Sequence, residues 1–335
     1  MPLSRYQKGA LLTLLAAFFF AGKTILVKLA YLEGADPVSL IALRMCIAGA
    51  CFIFILAFNL ARGRWKLDLG RKQWLMVAIL GIMGYYLSAY LDLLGLFYID
   101  ATLGRMILFL YPTMVVIIHA VIVREMLPGR VVLALALSYL GLVLMMAPNL
   151  GPGPQEGFWK GCGLVFLSAL VYSFYLTGVD RYFGTVNMGL FISLAMCCSC
   201  LVVFAQYIIA SPVTGLLDFN AKVYIYVLIL GTLSTVLPIY AMSMGIALMG
   251  ASKAAIYNMT GPIMTMLMGV ALLGERPGLL GFLGALMIIV GVAKARPAGS
   301  KGPKAAGNDA LELGKEAGEE VSGEAREEVS GKVRE

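Results

Sequence analysis

Ionisable side chains are scarce in the apolar stretches of this chain, and the few that interrupt them mark where chemistry can occur. Lys23, Lys28, Arg44, Asp92, Arg105 and His119 are those residues. An ionised group at the centre of a membrane helix costs on the order of 2.5–3.5 kcal/mol on insertion scales, so each needs a partner or water. Buried cations can hold a carboxylate or phosphate or pair with an acid, and a histidine can carry a proton. Lys28, Arg44, Asp92 and Arg105 fall near the ends of their apolar segments, where snorkelling and pairing with Asp92 account for them. Lys23 lies deeper, about 20 Å from the start of its segment at a helical rise of ~1.5 Å per residue. The sequence offers no acid at matching depth. Two settings satisfy such a lysine: neutrality among apolar neighbours, or a hydrated cavity in which it meets an anionic ligand group. His119 is open in the same way, as a proton carrier or as a side chain packed on a neighbour.

Tyrosines gather in the same segments: Tyr85, Tyr86, Tyr90, Tyr111, Tyr172, Tyr175, Tyr240, and Tyr257 beside Asn258. A phenol offers an apolar face and a hydroxyl, which suits a partly wet cavity, and it serves equally in helix packing. Tyr86, Tyr90, Tyr111, Tyr175, Tyr240, Tyr257 and Asn258 join Lys23 as candidate substrate-binding residues. Arg44, Asp92, Arg105 and His119 are candidates for charge pairing or ion coupling.

The rest of the composition narrows the class. Sixty per cent of residues are hydrophobic and 13% charged, more apolar surface than a soluble interior can hide. Apolar segments recur at roughly 9–30, 38–60, 73–94, 100–123, 129–147, 160–180, 188–210, 222–246, 252–273 and 278–294, near the ~20 residues that span a bilayer as a helix. The expected fold is therefore an all-α integral membrane protein of ten transmembrane helices. Cys46, Cys51, Cys162, Cys197, Cys198 and Cys200 all fall inside these segments without metal-ligand spacing, so neither a metal nor a disulfide is expected. Grouped nucleophiles, zinc-protease signatures and an intramembrane aspartate pair are missing from the sequence, which argues against an enzyme and against a cofactor.

Net charge is +7, yet residues 1–300 carry twenty Lys/Arg against ten Asp/Glu while the last 35 carry six against nine. The basic excess sits in alternate loops: Arg5 and Lys8, then Arg62, Arg64, Lys66, Arg71 and Lys72, then Arg124 and Arg130, Arg181, and Lys294 and Arg296. By the positive-inside rule those loops face the cytoplasm, as do both termini, in a protein expected to cross the cytoplasmic (inner) membrane many times. Membrane lipids and a small-molecule substrate are the expected partners; the charge pattern is a topology signal and not a nucleic-acid footprint. Beyond Ala295 the composition turns to Pro, Gly, Ala, Lys and Glu, with an eight-residue unit repeated from Glu319 and from Glu327. Residues 296–335 are expected to form a disordered cytoplasmic tail.

An internal repeat emerges at a register of 150 residues. Gly81 meets Gly231, Tyr90 meets Tyr240, Gly95 meets Gly245, Ala101 meets Ala251, Pro112 meets Pro262, Met114 meets Met264, Glu125 meets Glu275 and Gly141 meets Gly291. Two halves, 1–148 and 158–295, joined by an external linker at 149–157, each hold five spans. An odd number forces the second half into the bilayer from the opposite side, an inverted-topology repeat with a midplane site between the halves. Pro112, Pro238 and Pro262 fall inside spans and are expected to kink them around that site. Glu125 and Glu275, in equivalent turns, are expected to favour the N-terminal end of the helix that follows each. A channel would show a repeated filter segment instead, and the inverted repeat argues against it.

These residues resemble the drug/metabolite transporter superfamily, in its EamA-like branch of ten-span carriers. The resemblance rests on Gly95 through Gly141 with Leu110-Tyr111-Pro112 and Arg124-Glu125. It rests also on Gly245, Ala251-Ser252, Gly261-Pro262, Gly274-Glu275-Arg276 and Gly281 with Gly284-Ala285, and covers roughly residues 9–294. Phe20-Ala21-Gly22 stands where that family carries Trp-Gly-Ser, and Lys23 adds a charge. The resemblance implies a secondary carrier working by alternating access on a small polar or amphipathic metabolite, such as an amino acid or another carboxylate-bearing compound. Efflux is favoured over uptake on the resemblance alone. The alternative is an uptake carrier or exchanger for a nucleotide-like or vitamin-like anion. A monomer and a homodimer both fit.

Overall fold

In lipid each backbone N–H and C=O must be bonded within its own segment, so apolar runs of this length fold as helices. The computed structural model describes residues 5–124, 126–147, 156–181, 186–210, 216, 218–249, 257 and 260–295, and every regular element among them is a helix. Glu125, Asn258, most of the linker and the C-terminal tail lie outside the described residues.

Helix α1 (Arg5–Leu32) leads through a short turn into α2 (Pro37–Ala61). Asp36 begins α2 by accepting from Val38 N at 2.9 Å and Ser39 N at 3.0 Å, with Pro37 at the position that needs no donor. The third apolar segment is α3 (Arg71–Gly81), a π-helical turn (Ile82–Leu87) and α4 (Ser88–Leu96) in series. The fourth divides into α5 (Ala101–Leu108) and α6 (Tyr111–Val123). Then come α7 (Gly129–Met146), α8 (Phe158–Arg181) and α9 (Met188–Ala210). A second π-helical turn (Thr232–Val236) joins α10 (Ala221–Gly231) to α11 (Leu237–Met249), and α12 (Gly261–Leu273) and α13 (Leu279–Ala295) complete the fold. Seven segments, from Tyr6–Leu32 to Gly189–Ile209, are long and apolar enough to cross a membrane, and Ala221–Val236, Gly261–Leu273 and Leu279–Lys294 are shorter apolar helices.

The helices pair in a regular way. α2 lies on α9, α7 on α13 and α5 on α12; α1 runs along α10, α11 and α12, while α8 runs along α4, α5 and α6. Glycines set the closest approaches. A Cβ on Gly141 would lie 2.6 Å from Gly284 O, and one on Gly81 would lie 2.8 Å from Ala195 Cα. Backbone cannot give way as a side chain can, so Gly141→Val is expected to destabilise by about 1–3 kcal/mol through overpacking of α7 on α13. A lowered melting temperature in detergent would register it, and an unchanged one would mean that the crossing is looser than drawn.

Loops gather at two ends. At one, Glu33 after α1 accepts from Lys222 Nζ and Asn220 Nδ2, each at 2.7 Å, and Lys160 at the start of α8 donates to Tyr98 after α4 at 3.0 Å. At the other, Trp65 after α2 is buried against Gly189 at the start of α9, and the hydroxyls of Tyr6 and Tyr257 lie 3.2 Å apart.

The π-helical turns occupy matching places, since Ile82 and Thr232 are 150 residues apart. In each, an N–H reaches five residues back: Ser88 N to Met83 O, and Leu237 N to Thr232 O. The altered ladder is supplemented by hydroxyls, Ser199 Oγ donating to Gly81 O at 2.9 Å and Thr235 Oγ1 to Leu230 O at 2.7 Å. Pro238 is the second residue of α11, just past the second turn, whereas the first turn forms without a proline. Pro112 and Pro262 each occupy the first turn of a helix, α6 and α12. The α-helical pattern is interrupted at Phe109–Leu110, just before Pro112, although both residues keep right-handed helical φ and ψ.

Arg124 ends α6 with φ +58°, and Gly274 ends α12 with φ +67°. The two are 150 residues apart, so one left-handed turn is made once by the residue suited to it and once by arginine. A side chain in that region costs about 1–2 kcal/mol, part of which glycine returns through its freer unfolded chain. Arg124→Gly is therefore expected to stabilise by about 0.5–1 kcal/mol. No rise in melting temperature would count against the strained turn.

Candidate functional site

Four helices of the first half bring the buried charges together. Lys23 of α1 places Nζ 3.0 Å from Asp92 Oδ2 on α4, with the two side chains 15% and 5% exposed. Arg44 of α2, 7% exposed, donates Nε to Thr235 Oγ1 in the second π-helical turn across a long 3.3 Å. Arg105 of α5 completes the group, and both guanidiniums lie within electrostatic reach of Asp92 and of Lys23. Among the described residues, Arg44 Nη1 and Arg105 Nε are buried without a hydrogen-bond partner. Buried donors are almost always bonded in native proteins, so two orphans in one charged cluster mark a place built to meet an acceptor.

This arrangement corrects two expectations. Lys23 does have an acid within reach, and Asp92 pairs with Lys23, not with Lys28 or an arginine. Asp92 is a buried member of α4. The π-helical turn before it adds a residue to the helix, which draws Asp92 inward, and the long lysine side chain spans the remaining offset. Lys28 instead donates Nζ to Leu96 O at 3.0 Å and faces Asp100 and Glu275.

A tyrosine ladder runs from this cluster into the second half. Tyr111 meets Tyr172 edge-on at 5.2 Å, Tyr172 meets Tyr175 at 5.6 Å, and the Tyr175 hydroxyl donates to Tyr85 at 3.0 Å. Arg105 lies within electrostatic reach of Tyr111 and Tyr172. Gly84, in the first π-helical turn, leaves room for the Tyr175 ring, 2.5 Å from where its Cβ would stand. Tyr86 and Tyr90 stack on each other at 6.1 Å and 11° and are half-buried. Tyr257 sits by Tyr6, at the far end of α1 from Lys28. The backbone of Tyr240 belongs to α11, and its side chain is outside the described set, as is all of Asn258. His119 is exposed on α6 and does not join the buried cluster.

Glu275 also departs from expectation. It does not serve α13, the helix that follows. Oε1 accepts from Ala101 N at 2.6 Å and Oε2 from Thr102 N at 3.0 Å, and Oε2 accepts the Thr102 hydroxyl as well, which places the carboxylate at the N-terminus of α5. The left-handed turn at Gly274 aims it there, and Gly269 leaves the space, since a Cβ at 269 would fall 2.6 Å from Oε2. A carboxylate at this position satisfies donors that a helix cannot bond itself. It thereby orders the helix that carries Arg105 one turn later.

Thr235 and Thr102 were not foreseen. Hydroxyls that bond helix carbonyls are common in apolar helices, and only the packing distinguishes these two. Among the described residues no group of three His, Cys, Asp or Glu could hold a metal ion. The cluster's chemistry is that of anion binding: fixed cations with spare donors beside aromatic faces.

The EamA-like transporter family matches this sequence at residues 7–147 and again at 159–294. The chain belongs to that family. It is accordingly an integral membrane transporter, built from two EamA-like repeats. The first EamA-like segment contributes Lys23, Arg44, Asp92 and Arg105, and the second contributes Thr235, Tyr172, Tyr175 and Glu275. A protein of Bacillus subtilis (strain 168) named "Uncharacterized transporter YcbK" is 28% identical over 285 residues, covering 82% of this chain and 88% of its own. A solved crystal structure 20% identical in sequence covers 86% of this chain and 96% of its own with a TM-score of 0.59, a likeness of fold.

Proposed function

We propose that this EamA-like protein is a secondary carrier for a small carboxylate-bearing or otherwise anionic metabolite. The observation that carries the reading is the buried Lys23–Asp92 pair flanked by two guanidiniums with unpartnered N–H groups. An anion entering there meets fixed positive charge in a site that already excludes most water, where electrostatic contacts are strongest. Tyr86, Tyr90, Tyr111 and Tyr175 supply apolar faces and hydroxyls for the rest of the substrate. Efflux is the favoured direction, and a monomer or homodimer the working unit.

The carrier works as ten spans in two inverted five-helix repeats, divided at 149–157, with both termini in the cytoplasm of a cell whose inner membrane it crosses. The pairing of helices supports this: exchanging the halves carries α1 on α10, α11 and α12 into α8 on α3, α4 and α6, carries α2 on α10 into α9 on α3, and maps α2 on α9 and α7 on α13 onto themselves. The matched π-helical turns supply two hinge places. Alternating access is then a rocking of one repeat against the other around the cluster. The Glu33–Lys222 and Glu275–α5 contacts join the two repeats at the end taken as external, so they part when that end opens. In proteoliposomes the carrier is expected to give saturable counterflow of labelled carboxylate. Flux that stays linear with concentration and shows no counterflow would indicate a channel and sink the reading.

A further inference from the structure

Among the described residues, the buried cluster sets three cations, Lys23, Arg44 and Arg105, against one carboxylate, Asp92. Two positive charges are left uncompensated. Lys28 does not enter this count, because it faces Asp100 and Glu275. Net charge held away from water is unfavourable, so the ligand that fits best brings the opposite charge in equal amount. A zwitterion brings none, and a monocarboxylate brings half. The spare donors repeat the number, since Arg44 Nη1 and Arg105 Nε come from different helices and each belongs to a guanidinium suited to a carboxylate or phosphate.

We propose that the substrate is a small dianion, with two negative charges as in a dicarboxylate or a phosphate monoester, held between Arg44 and Arg105 beside the Lys23–Asp92 pair. This rests on reading the cluster as the substrate site. The two guanidiniums take the two charges. The internal ion pair keeps Lys23 in place and sets the net charge that the ligand must match. Asp92 therefore determines ligand charge without touching the ligand.

The test is a melting-temperature titration of the purified full-length protein in detergent with succinate, glycerol 3-phosphate, propionate and alanine. One or both dianions are expected to stabilise it at concentrations at least about tenfold below those needed for propionate or alanine. A response confined to succinate identifies a dicarboxylate, and one confined to glycerol 3-phosphate a phosphate ester. Arg44→Gln removes one positive charge and should move preference toward propionate by about tenfold, while Asp92→Asn adds one and should move it the other way. Arg105→Gln repeats the removal if Arg44→Gln fails to insert. Propionate binding as tightly as the dianions, dianion preference unmoved in these variants, or no response to either dianion overturns the charge count. Any of these with binding still abolished by Lys23→Ala leaves the cluster as the site. Binding of any probe that is indifferent to Lys23→Ala overturns the site reading itself.

Discussion

Replacing Lys23 by alanine is expected to reduce transport in proteoliposomes to a few per cent of wild type or less. Truncating one partner of a buried charge pair at a binding site costs about 2–5 kcal/mol of binding, and each 1.4 kcal/mol is a factor of ten. Two effects combine in that variant. The cluster loses a cation near the proposed anion, and Asp92, 5% exposed at its side chain, is left ionised without a partner. They separate in the double variant. Lys23→Ala with Asp92→Asn removes the orphaned charge and restores the cluster's two net positive charges, so the melting temperature should recover. Transport stays lost, because the anion no longer meets the lysine on its way to the two guanidiniums. Kinetics unchanged in Lys23→Ala would take Lys23 out of the site. Transport that returns together with stability in the double variant would mean that the lysine only neutralises Asp92.

Glu275→Ala is expected to show the second large effect, through position and not through contact with substrate. It strips the acceptor from Ala101 N, Thr102 N and the Thr102 hydroxyl, an N-cap loss of about 0.5–2 kcal/mol. Fraying of α5 reaches Arg105 within one turn, so apparent substrate affinity should fall several-fold along with stability. The same contact joins the two repeats at one end, so its loss also favours opening there, by about tenfold for each 1.4 kcal/mol. Glu275→Gln keeps a side-chain acceptor at the same reach and should recover most of the stability. Equal melting temperatures for wild type and Glu275→Ala would show that the cap carries no weight.

The interruption at Phe109–Leu110 and the left-handed turns at Arg124 and Gly274 differ in how far they could be read in advance. Pro112 and Pro262 announce an interruption, because proline removes a donor wherever it sits. Gly274 announces a helix end for a similarly local reason. Arg124 announces nothing, and only its partner 150 residues on reveals the strain. The two π-helical turns left no trace in composition; the 150-residue register passes through both, but it marks equivalence and not geometry.

The charged residues divide along the same line. That Lys23, Arg44, Asp92 and Arg105 are costly in an apolar segment, and so bear on function, follows from residue type and neighbours alone. The apolar periodicity, the alternation of basic loops and the repeat are equally local or additive properties, and the sequence by itself determined them. Which acid meets which base was decided only by the tertiary structure. Lys23 and Asp92 are 69 residues apart in the chain, and a π-helical turn shifts every later residue of its segment by about 100° around the helix. A straight-helix reading therefore assigns Asp92 the wrong depth and the wrong face. The same holds for Glu275, whose carboxylate crosses to a helix 174 residues away because two glycines clear its path. Long-range pairing depends on how helices stack, and stacking is a property of the whole set of surfaces that no single segment carries.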